Sequence, residues 1–105
     1  MRHVLLNQSA QPGSDPHRMA RLTRHLNARL LDFGPGGPEV LEANQDQGRI
    51  LARFPGHDTA QVLHGLEHLG VSAVLRGETA LFLLQPNTRF EDLDYVWGCL
   101  FDLLV

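Results

Sequence analysis

The chain has 105 residues, 43% hydrophobic and 20% charged, with 12 acidic and 9 basic side chains for a net charge of −3. That is the length of one domain with enough apolar content for a core, and it excludes a disordered polymer. The negative balance argues against a protein that coats nucleic acid or an anionic membrane.

Two residue counts narrow the chemistry further. The single cysteine, Cys99, excludes an intramolecular disulfide and any multi-cysteine zinc or iron–sulfur centre. All 9 basic residues are arginine. Without lysine, no side-chain amine can form a Schiff base with a carbonyl cofactor. No apolar run is long enough to span a bilayer, and the first residues lack the apolar length of a signal peptide, so a cytoplasmic location is expected.

In chain order, residues 1–14 read as an N-terminal segment whose Val4-Leu5-Leu6 run is a candidate edge strand, followed by a turn at Gln11-Pro12-Gly13-Ser14. Residues 15–105 read as one domain. Asp15 is a good N-cap and Pro16 occupies the first helical position, where its missing N–H costs nothing. Met19, Leu22, Leu26, Leu30 and Phe33 recur at helical spacing, with Arg18, Arg21, Arg24, His25 and Arg29 on the opposite arc. Gly34-Pro35-Gly36-Gly37-Pro38 ends the helix. It follows a helix and precedes a strand, so it is a connector rather than a phosphate loop.

Residues 39–43 and 49–54 read as a hairpin around the polar loop 44–48. Asp58 or Thr59 starts a second helix that runs to about Leu69, with Val62, Leu63, Leu66 and Leu69 on one side. Residues 71–75 and 79–84 read as two more strands around Arg76-Gly77-Glu78. The last strand is apolar on both sides, as expected of a covered central position. Thr88-x-x-Glu91 reads as a capping box opening a final helix that presents Leu93, Val96, Trp97, Leu100 and Leu104. The order (β)αββαββα predicts an α+β two-layer sandwich, an antiparallel-containing sheet with helices on one face.

Three groups of residues invite a chemical reading. His64-Gly65-Leu66-Glu67-His68 matches H-x-x-E-H, the inverted zincin pattern. Its histidines, however, fall opposite the Val62/Leu66/Leu69 stripe, where a solvated helix face is the expectation. The arginine arc reads as a solvated, partly ion-paired face. Cys99 has no base beside it in sequence and reads as a buried, inert thiol.

From about His17 onward the punctuation resembles a known family. The carriers are Ile50–Phe54, the following helix, Leu69-Gly70-Val71-Ser72-Ala73-Val74-Leu75-Arg76-Gly77, the apolar strand, Asn87-Thr88 and Phe90-Glu91-Asp92-Leu93-Asp94. Together they resemble the C-terminal small domain of fold-type I pyridoxal-phosphate enzymes, the aminotransferase and cysteine-desulfurase group. This chain departs from the pattern in two places. Leu81-Phe82-Leu83-Leu84 lacks the arginine that grips substrate carboxylates in the family, and Arg89-Phe90 makes the spacing before the acidic pair one residue longer.

The resemblance implies a domain with no catalysis and no cofactor of its own. It implies action through protein contact, as a homo-oligomer or with a separately encoded large-domain chain. Arg76 matches a position that can contact substrate anions. The contact elements expected are the final helix, through Leu93, Val96, Trp97, Leu100 and Leu104, and the apolar N-terminal segment. Apolar surface left uncovered by the missing large domain is expected on the sheet and helices. A second resemblance, to amino-acid-sensing two-layer domains of ferredoxin-like type, implies instead a small-molecule regulatory module. Arg76, Arg49 and Arg53 would then be its anion contacts.

Overall fold

The computed structural model describes residues 2–9 and 15–105; the expected turn at residues 11–14 lies outside them. Helix α1 spans Pro16–Leu31. Asp15 caps it as expected, its carboxylate accepting the His17 and Arg18 N–H groups at 3.0 and 3.4 Å. Met19, Leu22, Leu26 and Leu30 are buried, as their spacing requires. Helix α2, Thr59–His68, is capped by Asp58. Helix α3 spans Phe90–Leu104.

The cap of α3 differs from the sequence reading. Arg89 is the N-cap, and the Asp92 carboxylate accepts its backbone N–H at 2.9 Å. The Thr88 hydroxyl accepts from Gln85 N at 2.8 Å. The threonine thus closes the preceding turn and leaves the helix start to the next residue.

Strands β2 (Glu39–Asn44), β3 (Arg49–Arg53), β5 (Val74–Arg76) and β6 (Thr79–Leu83) form an antiparallel sheet in the order β2-β3-β6-β5. Strand β1 (Val4–Leu5) pairs in parallel with β4 (Val71–Ser72). The stretch 71–75, read as one strand, is therefore two. Its first half pairs with β1, its second half with β6, and Ala73 separates them. Leu6 accepts a hydrogen bond from Leu83 N at 2.9 Å and ties the two sheets together. The architecture is the α+β sandwich expected, with the order βαββαβββα once the divided strand is counted.

Paired residues on neighbouring strands point to the same face of a sheet. Ile50, Ala52, Ala80 and Phe82 point to the helices and are fully buried, joined there by Leu84. They meet Leu22, Leu26, Leu30, Val62, Leu66, Leu93, Val96 and Leu100 in one core. The β2–β3 turn ends at Gly48, which is buried at φ +63° with Met19 packed on it; a side chain there would collide with the Met19 thioether. No helix among the described residues is long and apolar enough to cross a membrane.

Candidate functional site

The opposite face of the four-stranded sheet is the feature that the fold leaves unexplained. The register places Val74, Leu81 and Leu51 in one row across β5, β6 and β3, with Leu83 beside them on β6. Leu81 is only 8% exposed, yet neither it nor Leu51, Leu83 or Val74 belongs to the core under the helices. Val74, Leu51 and Leu83 are half-buried. The row is flanked by ion pairs on its own face. Arg49 Nε lies 3.3 Å from Glu42, and Arg53 places Nε and Nη2 both 2.6 Å from one oxygen of Glu39. This is an apolar strip rimmed by neutralised charge.

The same register settles where the three candidate anion-binding arginines stand. Arg76 pairs with Thr79 at the β5–β6 turn, and the next residue of β3 beyond the Ala52–Ala80 pair is Arg53. Arg76 and Arg53 therefore flank Thr79 on one face. Gly77 at φ +63° makes the tight turn, and the Thr79 hydroxyl closes it on the Arg76 carbonyl at 2.6 Å. Arg49 and Arg53 are held by Glu42 and Glu39, so their guanidinium charge is already matched. Arg76 is exposed, with no ion pair among the described residues. Arg53 and Thr79 help line an open cleft of about 720 Å³ beside His57, Asp58 and Glu78; Arg76 does not line it.

The final helix requires a correction. Leu93, Val96 and Leu100 are fully buried under the sheet and offer nothing to a partner. The spacing that made them look like a contact stripe is the stripe that packs the core. Leu104 is half-buried against the same core. Trp97 does reach the surface. Its ring lies 5.6 Å from Phe33 and 5.4 Å from Phe101, with the Arg29 guanidinium 4.2 Å above it. Arg29 also lies 3.2 Å from Asp94, so this corner is ion-paired across α1 and α3. Phe101 is exposed here, at 44%.

Much of the arginine arc of α1 is engaged within the fold. Arg18 donates to the carbonyls of Pro86 and Thr88 at 2.8 and 2.7 Å, fastening α1 to the loop before α3. Cys99 is buried, as expected, and burial raises its thiol pKa above the ordinary value, the reverse of what a nucleophile needs. His64 and His68 are exposed on α2, as read from the sequence. Among the described residues no cluster of three or more His, Cys, Asp or Glu side chains is placed to hold a metal.

No protein-family model matches the chain, and no curated protein sequence does. Among solved structures it is similar to one described as a NIFS-like protein, with a TM-score of 0.73 over 85% of this chain. The chain has the fold of part of a NIFS-like protein. Sequence identity is 14%, so the likeness is one of fold. The chain spans 28% of the length of that NIFS-like structure.

The resemblance read from the sequence raises the question whether this chain could hold pyridoxal phosphate. Its residues do not fit. No lysine is present to form the imine, and Arg49 and Arg53, the arginines paired on the open sheet face, are already bound to glutamates.

Proposed function

We propose that the chain is a small-domain-like module of the aminotransferase and cysteine-desulfurase type that works by protein contact. It carries out no pyridoxal-phosphate chemistry itself. It docks through the uncovered face of its four-stranded sheet, in the first instance onto a second copy. A separately encoded, lysine-bearing large-domain chain is the hetero-partner that this reading admits.

The observation that carries the proposal is the Val74–Leu81–Leu51 row with Leu83, apolar on a face that carries no helix among the described residues. A sheet covered on one side only is expected to alternate apolar and polar residues. Strand β6, Thr-Ala-Leu-Phe-Leu, does not alternate. Leu81 is nearly buried already, so further gain on docking comes from Leu51, Leu83 and Val74. Fully burying one such side chain is worth about 1.5–3 kcal/mol, and these three have part of that still to gain.

Sedimentation velocity across a concentration series tests this. The wild type is expected to gain mass with concentration, or to co-sediment with a large-domain chain. The Leu51→Asn/Leu83→Asn variant is expected to stay monomeric with an unchanged circular dichroism spectrum. A wild type that is monomeric throughout and binds no such chain overturns the proposal.

A further inference from the structure

The two histidines of α2 face neither the core nor the sheet row just described, and no part of the contact reading uses them. His64 and His68 stand one helical turn apart, on the same side of the helix. Their Nε2 atoms lie 3.1 Å apart and their rings 4.6 Å apart at 85°. We propose that this pair is a two-point binding site for a divalent transition-metal ion of the zinc, nickel or copper class.

The geometry carries the proposal. A metal ion sits about 2.0–2.1 Å from an imidazole nitrogen. Two nitrogens 3.1 Å apart can share such an ion at an N–metal–N angle of about 100°, close to what tetrahedral and square-planar centres require. The only described partner of either Nε2 atom is the other, in a hydrogen bond exposed to water. Giving up that bond costs about 0.5–1.5 kcal/mol, which two metal–nitrogen bonds readily outweigh. Neither ring is engaged by a carboxylate within salt-bridge distance among the described residues.

The helix beneath the pair is firmly held, so the two rings start from a fixed spacing. Val62 and Leu66 are buried, Asp58 caps the N-terminus, and the Thr59 hydroxyl donates to the Glu78 carbonyl at 2.7 Å. Gly65 lies tight against Leu103 of α3, so close that a side chain there would meet the leucine methyls.

The site is a binding site and not the zinc hydrolase suggested by the H-x-x-E-H pattern. Among the described residues no third ligand joins the pair, so water fills the remaining positions. Among the described residues the two rings are exposed, without the enclosing cavity that shapes a catalytic metal. Imidazole ligands select zinc, nickel and copper over magnesium and calcium.

Isothermal titration of the purified chain with zinc chloride and with nickel chloride is the test. One ion per chain is expected, with magnesium chloride giving no heat. His64→Ala and His68→Ala should each weaken binding at least about tenfold, because each removes half of a chelate. His25→Ala and His57→Ala, elsewhere in the fold, should leave it unchanged. In a parallel spectrum of the wild type, paramagnetic nickel should broaden the ring signals of His64 and His68 before those of other histidines. Unchanged stoichiometry and affinity in the His64→Ala/His68→Ala variant, or the absence of binding by millimolar zinc, would overturn the assignment. Neither result bears on the sheet-face contact, which is tested by association and not by metal.

Discussion

The two faces of the four-stranded sheet are built from similar residues and meet different surroundings. On one face Ile50, Ala52, Ala80 and Phe82 disappear under three helices. On the other, Val74, Leu51, Leu81 and Leu83 lie between the Arg49–Glu42 and Arg53–Glu39 pairs, with no helix of the described residues in a shared core with them. The first face accounts for the stability of the fold. The second carries apolar side chains outside the core cluster under the helices, and they are the basis of the contact proposal.

The sharpest way to separate the faces is to damage each in turn. Phe82→Ala on the helix side should cost about 3–5 kcal/mol, because it empties a fully buried site that close-packed neighbours refill only in part. Urea denaturation reads this directly. Leu51→Asn on the other face should change stability far less, within about 1 kcal/mol, while abolishing association. If the two substitutions cost the same, the faces are not distinct in the way proposed here.

Gly48→Ala tests how tightly the hairpin is seated on α1. The backbone there is at φ +63° and Met19 packs against the glycine, so strain and collision add. A loss of about 1–3 kcal/mol is expected, with Gly77→Ala, at the same φ but in open space, costing less. Asp15→Ala removes the cap of α1 and should cost about 1 kcal/mol by the same assay.

The smallest effect is the pH dependence of the helix side. Burial raises the Cys99 thiol above its ordinary value of 9.0, and burial together with the neighbouring Cys99 raises Tyr95 above 10.0. In each case the unfolded chain loses its proton first. The stabilisation is therefore complete below pH 9 and declines as pH rises through the raised values. A thermal melt series from neutral to alkaline pH should show that decline, and Cys99→Ala should flatten its thiol part.

Much of the fold was legible because local chemistry and packing agree. Asp15-Pro16 starts a helix, Gly34–Pro38 stops one, and the Met19/Leu22/Leu26/Leu30 stripe is buried where its period puts it. The division of residues 71–75 was not legible. It depends on β1, nearly seventy residues away, taking a two-residue parallel pairing that leaves no periodic signal. The cap of α3 was missed by one residue because the Thr88 hydroxyl had a competing partner in Gln85.

The candidate site was legible only in part. The double-sided apolar pattern of β6 is plain in Leu81-Phe82-Leu83, but sequence alone does not say which side lacks a cover. Leu93, Val96 and Leu100 show the opposite limit: a stripe that faces the core and a stripe that faces a partner have the same period. The histidine pair was visible as spacing. Its 3.1 Å approach, which decides what it can bind, is set by side-chain rotamers that spacing does not specify.

Methyl NMR over a dilution series tests the central claim most directly, because it reports on both sheet faces in one sample. Concentration-dependent shifts confined to Val74, Leu51, Leu81 and Leu83, with Ile50 and Leu84 unmoved, are the predicted result. Shifts centred on the Trp97 and Phe101 corner instead, or none at any concentration and none on addition of a large-domain chain, would contradict it.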